Sequence, residues 1–113
     1  MDYTDRLRHL ALNDQGFVHR ESCECATGIP DVDPKTLALT RLAALVAVGG
    51  ADPSYGAQTD ASVDAGATAA EIVDVLVGII PVVGLPRVVE AAPKVALALG
   101  YDIDGALEQL YAD

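Results

Sequence analysis

The sequence predicts an all-α fold, a compact helical domain of about six helices, and three observations carry that expectation. Apolar residues make up 51% of the 113-residue chain while aromatics make up only 4%, and Trp is absent. The core must then be built from Ala, Val, Leu and Ile, whose small side chains let helices approach closely. No segment sustains period-two alternation, and the only tempting strand, the β-branched run near Val82-Val83, is bracketed too tightly by Pro81 and Gly84 to extend. Helix start and stop signals also recur: Asp33-Pro34, Asp52-Pro53 and Thr68-x-x-Glu71 as starts, Gly49-Gly50, Gly66 and Gly100 as stops.

Taken in chain order, the first helix is expected from near Thr4, where Leu7, Leu10 and Ala11 recur on one face, to Asn13-Asp14. Residues 1–31 form a less regular N-terminal helix and loop, and 14–32 are the least regular part, with a short helix over 15–21 and a loop over 22–30. Asp33 caps a helix that Pro34 opens and that runs to Val48; it is apolar on every face from Leu42 onward, the pattern of a helix buried on more than one side. Asp52-Pro53 repeats the start signal for a helix over about 53–65, which Gly66 stops in a left-handed turn. Thr68 and Glu71 form a capping box, the Thr hydroxyl taking the Glu71 amide and the Glu carboxylate the Thr68 amide. Ile72, Val75, Leu76 and Ile79 line one face of the helix that follows, and Pro81 kinks or ends it. Pro86 opens another helical segment, Pro93 is expected to break or restart it, and Asp102 caps a last short helix through Leu110.

Length favours one domain, 1–113. The net charge is −10 and no basic patch exists to neutralise phosphates, which argues against nucleic acid and against anionic membranes. Lys and Arg are absent between Arg41 and Arg87, while Asp52, Asp60, Asp64, Glu71 and Asp74 fall there. Met1 is followed by Asp2-Tyr3-Thr4-Asp5 rather than a basic and then apolar start, so a cytoplasmic location is expected. In that compartment two cysteines imply no structural disulfide. A mean hydropathy of +0.31 is high for so small a chain and points to apolar surface shared between subunits.

Three segments carry a resemblance. Val32 to Ala47, Asp64 to Leu76 with its glycine turn and capping box, and Val83-Gly84-Leu85-Pro86-Arg87 followed by Ala91-Ala92 resemble, in this order, the core of the carboxymuconolactone decarboxylase and alkylhydroperoxidase-like family. The resemblance covers about residues 32–100. It implies an all-α fold, homo-trimeric or hexameric assembly, and chemistry on small organic acids, lactones or peroxides. Peroxidase-type members carry two cysteines and a histidine on the helix before the glycine turn, one thiolate attacking peroxide and the other resolving it. Here Ala51, Ser54 and Gln58 occupy those positions. Gln58 hydrogen-bonds but cannot exchange protons near neutral pH, so it cannot replace a histidine base.

The candidate site residues follow from this. Ser54 and Gln58 share a helix face and, with Tyr55, form either a polar pocket that orients a small ligand or ordinary capping and packing. Arg41 and Arg87, rare cations in apolar helices, either hold a substrate carboxylate in bidentate fashion or pair with one of the many acids. Cys23 and Cys25, with His19 nearby, are an incidental loop pair, a displaced redox centre, or three ligands of a metal site that lacks a fourth. His9, beside the first apolar stripe, reads as a surface or packed side chain. No cofactor and no complete metal site are expected. Three functions stand open: a protein that binds or transforms a small organic acid or lactone, a non-catalytic oligomeric binding or scaffold protein, and a thiol peroxidase using Cys23 and Cys25.

Overall fold

The computed structural model describes residues 2–22, 31–101 and 110. The described residues form seven helices: α1 (Tyr3–Ala11), α2 (Gln15–Ser22), α3 (Pro34–Val48), α4 (Asp52–Asp64), α5 (Ala69–Gly78), the single turn α6 (Ile80–Val83) and α7 (Leu85–Ala98). No strand occurs among them. The helix expected after Asp102 lies outside the described residues. The chain divides into two compact units, Met1–Asp31 and Val32–Asp113.

In the first unit, α1 and α2 pack as a helical hairpin. Asp2 caps α1 by accepting the Asp5 amide at 2.9 Å. Asn13 ends that helix in the left-handed region (φ +55), letting the Asp14 amide reach the His9 carbonyl at 3.0 Å. Asp14 then starts α2 by accepting the Phe17 amide at 3.2 Å. One dipeptide therefore serves as the stop of one helix and the start of the next, because Asn tolerates positive φ and Asp accepts amides. The His9 ring stacks on Phe17 with centroids 5.2 Å apart, and its Nδ1 lies 3.0 Å from Asp14 Oδ2. His9 is thus a packed histidine of the hairpin. The apolar stripe expected on α1 forms but is not buried: Leu7, Leu10 and Ala11 are exposed.

In the second unit, α4 packs against both α3 and α7, and α5 contacts all three. The core is Leu42 and Val46 from α3, Tyr55 from α4, Ala67 from the glycine turn, Ile72 and Leu76 from α5, and Val88, Ala91 and Val95 from α7. The α7 residues recur at intervals of three and four, one stripe of a helix. Each large aliphatic side chain fully buried here contributes about 1.5–3 kcal/mol. The capping chemistry is as the sequence predicts. Asp33 accepts the Thr36 amide at 2.8 Å, and Thr68 and Glu71 exchange their two hydrogen bonds at 3.0 and 3.1 Å. Gly66 (φ +104) closes α4, with the Ala67 amide on the Ser62 carbonyl (2.9 Å) and the Gly66 amide on the Val63 carbonyl (3.0 Å). Those paired bonds are the Schellman arrangement.

Three expectations need correction. Pro93 neither breaks nor restarts its helix; α7 runs through it. A proline costs the bond its amide would donate to the carbonyl four residues earlier. Val89, which carries that carbonyl, and Pro93 are both exposed, so the freed group lies on the outer side of α7 rather than in the core. Second, α3 is not buried on more than one side: Ala38, Leu42 and Val46 form its inner stripe, while Ala44 is exposed and Val48 is 74% exposed. Within one chain only one side of α3 meets other helices. Third, Asp52 is not a cap. Ala51 occupies the cap position and makes no side-chain bond, and Asp52 is the first helical residue.

Charge fastens the start of α5 to α3. Glu71 Oε1 accepts the Thr68 amide while Oε2 accepts from Lys35 Nζ at 2.9 Å. The Thr68 amide and then Lys35 hold the Glu71 carboxyl below its ordinary 4.5, and Glu71 in turn raises Lys35. A carboxyl whose pKa is depressed on folding contributes stability above its unfolded pKa and loses it as pH falls through the folded value. Urea midpoints are therefore expected to be level from pH 7 to pH 5 and to fall below about pH 4.5. Glu71→Gln should flatten that acid limb. An unchanged pH profile in the variant would show that this pair does not contribute to it.

Candidate site at the start of helix α4

Ser54, Tyr55 and Gln58 fall on α4 and Ala51 caps it, and the structure separates them. Ala51 and Ser54 are exposed. Gln58 is half-buried, and its main-chain carbonyl accepts the Ser62 hydroxyl at 2.9 Å. Tyr55 points the other way, 1% exposed, within the hydrophobic core. Ser54 and Gln58 share a side of the helix, as their spacing requires, while Tyr55 is a core residue of the same turn.

The neighbouring charges come from α7. Lys94 Nζ lies 3.1 Å from Asp52 Oδ1 and 3.6 Å from Glu90, and it sits 5.1 Å above the centroid of the Tyr55 ring. Its hydrogen bond to Asp52 raises the Lys94 pKa, so it is a fixed cation rather than a base. Asp52, as the first helical residue, turns its carboxylate to this ammonium rather than to the amides of its own helix. Two turns earlier on α7, Arg87 reaches the end of α3. A Cβ built on Gly49 would stand 2.7 Å from Arg87 Nη1. Gly49 itself has φ +81 and ψ 162, a conformation essentially confined to glycine. Arg87 and Lys94 are seven residues apart, on one side of a helix, and both reach the segment from Gly49 to Tyr55.

Among the described residues, no carboxylate lies within salt-bridge distance of Arg87 or Arg41, and both are exposed. Arg41 contributes nothing to the junction of α3 and α4 that the structure records. Cys23 and Cys25 lie outside the described residues, and His19 is exposed at the end of α2. No three His, Cys, Asp or Glu side chains converge on a metal-sized point among the described residues. Sequence reasoning read Gly49 only as a helix stop and missed Lys94. The seven-residue interval between Arg87 and Lys94 was a usable signal, but which segment they face depends on how α7 packs.

At its far end α4 borders a cleft of about 490 Å³ lined by Asp60, Val63, Asp64, Ala67, Ala69, Ala98 and Leu99. None of the residues singled out from the sequence as site candidates lines it. One buried polar atom of α4 is also unexplained: Thr59 Oγ1 has no hydrogen-bond partner among the described residues, and its residue is fully buried.

Against this geometry, the profile of the carboxymuconolactone decarboxylase family matches residues 23–97, most of the chain. The chain belongs to the carboxymuconolactone decarboxylase family. No curated protein and no solved structure gives a match. The matched span starts earlier than the three segments seen in the sequence and takes in Cys23 and Cys25. It also contains the whole of α3 through α6 and nearly all of α7. The matched span contains Ala51, Ser54 and Gln58, of which Ser54 and Gln58 lie on α4 and Ala51 caps it. No helix of the described residues is long and apolar enough to cross a membrane.

Proposed function

We propose that this member of the carboxymuconolactone decarboxylase family binds a small organic acid or lactone at the junction of α3 and α4, with Arg87 taking the carboxylate. The observation that carries the reading is the placement of the Arg87 guanidinium over Gly49 at the head of α4, without an acidic partner among the described residues. Arg20 and Arg41 also lack a salt bridge among the described residues, so the seat over Gly49 is what sets Arg87 apart. A planar guanidinium matches a carboxylate in two parallel hydrogen bonds. The half-buried Gln58 amide and the Ser54 hydroxyl, two turns or less along the same helix, supply neutral donors and acceptors for the rest of such a ligand. Ala51, Ser54 and Gln58 offer neither thiolate nor imidazole, so the reading is binding, or a transformation that does not use the family's thiol relay.

Titration calorimetry with a panel of aliphatic and aromatic carboxylates and their methyl esters tests this. Carboxylates are expected to bind and the esters to bind weakly. Charge-assisted hydrogen bonds are worth about 1.5–3 kcal/mol, so Arg87→Met should weaken binding by roughly 10- to 100-fold. Arg41→Met serves as the control and should leave it unchanged. Equal binding of acid and ester, or equal loss in both variants, would overturn the assignment.

A second reading, an oligomeric binding or scaffold protein, is favoured by the outer side of α7. Leu85, Val89 and Leu97 are 56, 59 and 70% exposed, and with exposed Pro93 they form one row at intervals of four. Such a row is covered in self-assembly. Sedimentation of the wild type is expected to give an oligomer, and Val89→Glu with Leu97→Glu a monomer. A monomeric wild type would remove this reading without touching the first.

A further inference from the structure

No further inference is drawn: the strongest candidate, the cleft at the C-terminal end of α4 with Asp60 and Asp64 on its wall, is an acidic pair over an apolar floor with no second observation that points to a ligand.

Discussion

Tyr55→Ala is expected to destabilise the Val32–Asp113 unit by about 3–5 kcal/mol, and Tyr55→Phe to be almost silent. Tyr55 is the largest of the fully buried side chains, and it stands in the core cluster with Leu42, Val46, Ile72, Val88, Ala91 and Val95. Removing a buried aromatic ring costs about 3–5 kcal/mol through lost transfer free energy and the cavity left behind. Small domains hold about 5–15 kcal/mol in total, so the loss is a large share. The ring also carries Lys94 above it, a contact worth about 0.5–1 kcal/mol where it is partly exposed. Phenylalanine keeps the ring, the volume and the cation above it. The phenol makes no hydrogen bond to a described residue, so little is lost with the hydroxyl. Urea denaturation followed by circular dichroism measures both variants. A Tyr55→Ala protein within 1 kcal/mol of wild type, on the order set by routine surface substitutions, would show that the ring is not the keystone its burial indicates. The same Tyr55→Phe protein in the carboxylate titration separates packing from ligand contact. Unchanged affinity assigns Tyr55 to packing alone.

Gly49→Ala should have the next largest effect, and for two separable reasons. The first is conformational: φ +81 with ψ 162 lies where non-glycine residues pay about 1–3 kcal/mol. The second is steric, because the new Cβ would stand 2.7 Å from Arg87 Nη1 and the guanidinium must move. Stability is expected to fall by about 1–3 kcal/mol, and carboxylate affinity to fall with it, since Arg87 loses its seat. In an Arg87→Ala background the steric part vanishes while the conformational part remains, so the loss of stability should be smaller than in the wild type. Equal losses in the two backgrounds would mean that Arg87 yields freely and that Gly49 does not position it. Gly56→Ala is the contrasting case. It lies inside α4 with no atom within 4 Å of an added Cβ, and about 0.5–1 kcal/mol of stabilisation is expected there.

Much of this helical framework was legible because its determinants are local. The Asp33-Pro34 start, the Thr68–Glu71 capping box and the Gly66 stop are each settled within four residues, by amides that need an acceptor and by a turn that only glycine enters cheaply. The structure shows all three where the sequence places them. Family membership was legible for the same reason, since these signals recur in order along one chain. The absence of thiols and an imidazole at Ala51, Ser54 and Gln58 needed only the sequence and the family pattern.

What local chemistry leaves open was decided by packing. Asp52 carries the residue type of a cap, yet it stands inside α4 with its carboxylate on Lys94, 42 positions later, and Ala51 holds the cap position. Tyr55 reads equally as a pocket phenol or a core ring until α7 is laid across it. Pro93 reads as a breaker, and whether its missing hydrogen bond is tolerable depends on which side of α7 faces outward. Arg41 and Arg87 are equivalent in sequence, but only Arg87 arrives over Gly49. Helix ends and the all-α fold are thus properties of short stretches, where one side chain meets one backbone group. The partner of a long side chain is set by which helices meet, and that is a property of the assembled tertiary structure.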